Sequence, residues 1–171
     1  MNKNIKEKWK KDLARYPKKP WLKEPSIWVV YWHRHGQSVD LMKQGIFKLI
    51  QTKLYWFIYH ILTLITGISL SKSIKSEGGI RIFHFGNIFL HQNVVLGKNC
   101  TLRQGVTIGN RHNDESAPII GDDVEFGAYA QILGKVTIGK NSKIGAMSVV
   151  LNDIPENSTA CGIPAKILKK A

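Results

Sequence analysis

The sequence predicts a mainly β protein, a parallel β-helix of six-residue repeats behind an α-helical amino-terminal segment, and three observations carry that expectation. Leu90, Leu96, Leu102 and Ile108 stand six apart, and after one gap Ile120, Phe126, Ile132, Ile138, Ile144 and Val150 continue in the same phase. Glycine repeatedly follows that position (Gly97, Gly109, Gly121, Gly127, Gly139, Gly145), and Asn or Asp recurs three residues after it (Asn87, Asn93, Asn99, Asp123, Asn141, Asp153). Four residues after it, small or β-branched types dominate: Val94, Cys100, Val106, Val124, Ala130, Val136, Ser142 and Ser148. In a chain that is 43% hydrophobic, composition alone does not produce ten apolar residues in the twelve slots from 84 to 150.

Each hexad reads as a short strand and a corner, one side of a coil, and stacked coils share one core. Three hexads close a triangular coil, so twelve slots amount to four coils. Gly, Asn and Asp tolerate left-handed backbone and therefore mark the corners. The small residues mark a second inward position of limited size. A β-sandwich would need hairpin turns at longer spacing, and no Asn-Gly or Asp-Gly signal is present.

The division expected along the chain is a helical, basic segment over 1–70, the β-helix over 71–155 and a tail over 156–171. Residues 5–16 and 26–42 read as helices, the second opening at Pro25-Ser26 with Ser26 as its cap. Leu54 to Leu70 carries no charge but is slightly short for a membrane span, which favours a buried or interface helix over membrane-surface docking. Of 25 Lys and Arg residues, 13 fall within 1–53 beside four acids. That concentration suits a solvated basic face, or a peripheral contact with an anionic membrane or acidic polymer. No nucleic-acid recognition motif accompanies it, so nucleic acid is not an expected partner. The first apolar stretch comes too late for a signal peptide, and two cysteines, Cys100 and Cys161, belong to no paired motif. The cytosol is the expected compartment, with the inner face of the membrane as a second location.

Two slots break the ladder. Asp114 lies in "NRHNDESAP", Asn110 to Pro118, a polar loop bulging from the coils, where function tends to reside. His84 is the other. Ile82 and Ile88 form their own six-residue pair, so a slip of two in phase at this point would push the imidazole out of the core into a groove.

The stretches "IGDDVEFGAYAQILGKVTIGKNSKIGAMSVVL", "NCTLRQGVTIGN" and "CGIPAKIL" resemble the hexapeptide-repeat acyltransferases, and more narrowly the serine acetyltransferase family, including its short members associated with capsule and exopolysaccharide synthesis. The resemblance implies a left-handed β-helix, a homotrimer and acetyl-CoA as donor, with no metal. It implies that His84 is the catalytic base; an imidazole that titrates near neutrality can take the proton of an alcohol attacking a thioester. It further implies coenzyme A contacts at Gly109, near the thioester, and at Gly127-Ala128 and Gly145-Ala146 along the pantetheine arm, with Lys166 near the nucleotide phosphates. Phe83, Asn110, Arg111 and His112 are the expected acceptor contacts. His84, His91 and His112 also number three, as a zinc site would want, but the spacing lacks the close pair of the β-helical zinc enzymes.

The family pattern is broken at three places. Phe83 stands where the family carries Asp before the base, Ser116-Ala117 where it carries Arg-His, and Ser69 where an Asp partners the base. The expected activity is therefore an acetyl-CoA-dependent O-acetyltransferase acting on a sugar hydroxyl of a polysaccharide or its precursor. The alternatives are L-serine O-acetylation and, from another class, a non-catalytic trimeric scaffold.

Overall fold

The computed structural model describes residues 1–111 and 115–170. Helices α1 (Lys3–Ala14), α2 (Pro20–Lys23), α3 (Ser26–Asp40) and α4 (Ile46–Thr66) precede the coils. Helix α1 opens on Asn2, whose side chain accepts from the Asn4 amide at 3.0 Å. Helix α3 has no such cap. Ser26, expected in that role, donates its hydroxyl to the Ile82 carbonyl at 3.1 Å and fastens the helix to the coil stack. Helix α4 begins well upstream of the uncharged run, because Lys48 and Lys53 continue its turns, and it stops at Gly67 in the left-handed conformation (φ 64°). It is not a buried helix: Tyr55 and Thr66 are its buried residues, whereas Ile46, Ile50, Leu54, Phe57, Ile61 and Leu64 form an exposed apolar stripe. Among the described residues no helix is long and apolar enough to cross a membrane.

The coils have three faces. Strands β1 (Ile68–Ser69), β4 (Ile88–Leu90), β7 (Thr107–Gly109), β10 (Gln131–Leu133) and β13 (Val149–Val150) stack as the first. The second is β2 (Lys75–Ser76), β5 (Val95–Leu96), β8 (Ile119–Ile120) and β11 (Thr137–Ile138). The third is β3 (Arg81–Phe83), β6 (Thr101–Arg103), β9 (Glu125–Phe126), β12 (Lys143–Ile144) and β14 (Ser158–Gly162). All these pairings are parallel; β15 (Ala165–Lys170) then folds back antiparallel on β14, so the carboxy-terminal residues extend the third face.

The ladder is the core. All ten apolar slot residues are buried, and so are the eight small residues of the second inward position. Burial pushes the Cys100 thiol up to about 12, which leaves it a packing residue, and both cysteines are free. The corners divide the work between residue types. Asn99, Asp123 and Asn141 take left-handed φ of 55–58°, and their side chains stack along one edge: Asn99 Nδ2 donates to Asp123 Oδ1 at 3.0 Å, and Asn141 Nδ2 to Asn157 Oδ1 at 2.9 Å. The repeated glycines, expected for the same backbone reason, have none of these φ values. Coil stacking requires all of them but Gly109: a Cβ on Gly127 would lie 2.4 Å from the Ala146 nitrogen, and one on Gly139 would lie 2.2 Å from the Glu156 nitrogen, whereas one on Gly109 would meet nothing nearer than His91 Cβ at 3.8 Å.

The helical segment is riveted to the first coil by buried polar groups. Asp12 accepts from the Gly79 and Ile80 amides at 2.7 and 2.8 Å and pairs with Arg34 at 2.7 Å, both side chains being fully buried. Arg34 also donates to Ser76 Oγ at 2.8 Å. His33 spans from the Ser71 carbonyl (Nδ1, 2.9 Å) to Ser76 Oγ (Nε2, 2.7 Å). His35 instead stacks on Trp32, with ring centroids 4.6 Å apart.

Candidate active site

The phase of the ladder slips by two between β3 and β4. Ile82 and Ile88 are both buried, and the four residues from His84 to Asn87 form a lengthened corner in which His84 (φ 60°) and Asn87 (φ 54°) are left-handed. That backbone turns the imidazole outward. His84 is exposed and, among the described residues, has no hydrogen-bond partner. Ser69, expected to stand in place of an acid partner of the base, bonds Tyr59 Oη at 2.8 Å.

The strand that delivers His84 is held from outside by the amino-terminal segment. Tyr16 Oη accepts from the Ile82 amide at 3.2 Å, and Arg81 is clamped between the Tyr16 ring (4.2 Å to centroid) and the Phe83 ring (4.1 Å). Arg81 forms a two-pronged pair with Glu24, Nη2 to Oε1 at 2.9 Å and Nη1 to Oε2. A cavity of about 330 Å³ lies against these groups, lined by Lys23, Glu24, Arg81, Phe83, His84 and Phe85 among others. Lys23, Glu24 and Arg81 were not anticipated from sequence. Glu24 and Arg81 lie 57 residues apart, and no local pattern links them.

The lengthened corner sits at the end of one edge of the prism, between the third and first faces. Backbone bonds trace that edge from coil to coil: Gly105 N to Gly86 O at 3.0 Å, Tyr129 N to Gln104 O at 2.9 Å, and Met147 N to Ala128 O at 2.8 Å. His84, Gly127-Ala128 and Gly145-Ala146 thus share one edge. The span from the first of these coils to the last is roughly 14 Å at the spacing of hydrogen-bonded strands. A shallow groove of about 220 Å³ runs beside it, with Arg103, Gly127, Lys143, Gly145 and Ala146 in its lining. The absence of side chains at Gly127 and Gly145 keeps the edge low, while Phe85, Tyr129 and Met147 stand exposed along it. The amides of Gly127 and Gly145 are already donated to Ile144 O and Ala160 O at 2.8 Å, so they are not spare oxyanion donors.

Other expected positions lie elsewhere. Gly109 ends β7, and Asn110 and Arg111 follow it on the edge between the first and second faces, so one protomer does not bring them to His84. His91 lies on that same edge, after β4. His112, with Asn113 and Asp114, lies outside the described residues. Lys166 is exposed on β15, in register with Cys161. Among the described residues no three His, Cys, Asp or Glu side chains are grouped to hold a metal.

Residues 117–152 match the bacterial transferase hexapeptide model (six repeats), and residues 92–111 match the hexapeptide repeat of succinyl-transferase. A serine acetyltransferase of Helicobacter pylori is 32% identical over 151 residues, covering 80% of this chain and 88% of the relative. The chain belongs to the serine acetyltransferase family. Another member, from Synechococcus elongatus, is 33% identical over 152 residues, covering 81% of this chain and 62% of the relative. The chain thus spans less than two thirds of that relative's length. The solved structure of a serine acetyltransferase in complex with CoA superposes with a TM-score of 0.82 at 26% identity, over 98% of this chain and 71% of that one. The coils are accordingly the left-handed parallel β-helix of hexapeptide-repeat serine acetyltransferases.

Proposed function

We propose that this serine acetyltransferase family member is an acetyl-CoA-dependent O-acetyltransferase with His84 as its general base. The observation that carries the proposal is the lengthened corner, which lifts an imidazole out of the core at the head of the edge holding Gly127, Ala128, Gly145 and Ala146. In the proposed reaction acetyl-CoA supplies the acyl group. His84 takes the acceptor hydroxyl proton as the oxygen attacks the thioester carbon, and returns it to the departing thiolate. The groove along the edge holds the pantetheine arm, and Lys166 is assigned to the nucleotide phosphates.

L-serine is the acceptor favoured by the relatives' name, ahead of the saccharide hydroxyl expected from the sequence. Phe83, one of the expected acceptor contacts, already has Arg81 stacked on its ring. Release of CoA from acetyl-CoA, measured with L-serine and with a panel of saccharides, is expected to favour L-serine. Turnover on saccharides alone would restore the first reading, and no CoA release with any acceptor would leave a scaffold.

The homotrimer belongs to the same proposal. The apolar stripe of α4 follows helical spacing along one face and needs cover, and Gly109, Asn110 and Arg111 would meet His84 only across two protomers. Light scattering is expected to give about three times 19.3 kDa. Phe57→Lys, which places a charge in the stripe, is expected to shift the population toward monomer; a monomeric parent protein would refute the assembly. The cytosol is the proposed location.

A further inference from the structure

The cavity beside His84 has charged walls that come from outside the β-helix. An amino-acid acceptor carries an ammonium and a carboxylate, and burying either without a partner costs several kcal/mol. Phe83, Ser116 and Ala117 offer no charge for this purpose. The amino-terminal segment does: Lys23 and Glu24, at the end of α2 and its cap, line the same cavity as His84.

Glu24 is built to stay where it is. Its two oxygens are gripped by Arg81, which is 5% exposed and clamped between Tyr16 and Phe83. A carboxylate has about four lone-pair sites, of which the guanidinium uses two. The Glu24 side chain keeps 23% of its surface open. Arg81 stands behind the carboxylate with one Nη also donated to the Ile82 carbonyl at 3.1 Å; the ion pair holds Glu24 in place, and its remaining lone-pair sites are left to accept from an ammonium. Lys23, next in the chain, is exposed and supplies the complementary charge.

Resting on the serine reading above, we propose that Glu24 and Lys23 form the acceptor subsite of this enzyme, Glu24 receiving the ammonium and Lys23 the carboxylate of L-serine. The amino-terminal segment thereby supplies the charges missing from 83, 116 and 117. It also sets the preference for an amino acid over an uncharged or purely anionic alcohol.

The test compares L-serine with glycerate, which keeps the carboxylate and the hydroxyl but replaces the amine. E24Q is expected to raise KM for L-serine roughly 10- to 100-fold, the range for losing a hydrogen bond to a charged group, and to abolish the preference for serine over glycerate. KM for acetyl-CoA should not move. Because E24Q leaves Arg81 unpaired, E24Q/R81Q removes both charges and is expected to show the same loss of preference. K23Q, at an exposed residue, should raise KM for both acceptors. A folded Glu24 variant that keeps the parent preference overturns the subsite, as does a K23Q protein with unchanged KM values. A parent protein that acetylates saccharides but not serine would instead overturn the acceptor reading beneath it.

Discussion

Removing the His84 imidazole is expected to lower kcat by about 10²–10⁴-fold, the range for loss of a general base. The choice of replacement matters because His84 has φ 60°. Histidine, like alanine, pays the left-handed cost of a Cβ there, whereas asparagine visits that region more readily. His84→Asn therefore removes the base while preserving the turn, and His84→Ala serves as the second variant. Since the ring is exposed and has no partner among the described residues, melting temperature and oligomeric state should match the parent for His84→Asn. KM for acetyl-CoA should stay within a few-fold. Initial rates of CoA release on the best acceptor check the expectation, and near-parental turnover in His84→Asn would make the residue structural.

Asp12→Ala is expected to be the most destabilising single change in the helical segment, by about 3–5 kcal/mol, because it leaves Arg34 buried and uncompensated. It also strips the acceptor from the Gly79 and Ile80 amides. Urea unfolding should show the loss as a lower midpoint. Lys140→Met, which removes an exposed ion pair to Glu156 at 3.3 Å, should cost no more than about 1 kcal/mol. The same cluster makes stability depend on acid. Burial, reinforced by the neighbouring Arg34 charge, pulls His33 down from 6.5 to about 3. Between those values the unfolded chain binds a proton that the folded one refuses. The His33 contribution is thus fully present above pH 6.5 and falls as pH drops toward 3, with a slope of at most about 1.4 kcal/mol per pH unit. His33→Gln should flatten that slope; an unchanged slope would exclude His33 as its source.

The coil core was legible because its determinants are local and repeated: each slot residue meets the same surroundings one coil above and below. The exposure of His84 was legible for the same reason, since Ile82 and Ile88 betray the slip in phase. Other features were not. The glycines looked like corner residues, whereas at Gly97, Gly121, Gly127 and Gly139 the need arises from the neighbouring coil's backbone, which no single hexad displays. The limits of α4 were hidden because a charge-free run is not a helix boundary when lysines continue the turns. The grip of Glu24 on Arg81 joins two elements across 57 residues and leaves no periodic trace. The separation of Gly109 from Gly127 and Gly145 was within reach: counting the hexads in threes assigns each corner to an edge.

Where the corners lie has a consequence for how such a chain changes over evolutionary time. Register between coils is kept by parallel backbone bonds, Ile68 opposite Ile88 and Ile119 opposite Thr137, whatever length of chain connects them. Residues gained at a corner therefore leave every face below and above in place. The stretch around His84, which carries the proposed base, is such a lengthened corner. The fold separates a trunk of fixed register from bends of variable length, so new specificity can be acquired one bend at a time, without a compensating change in the trunk.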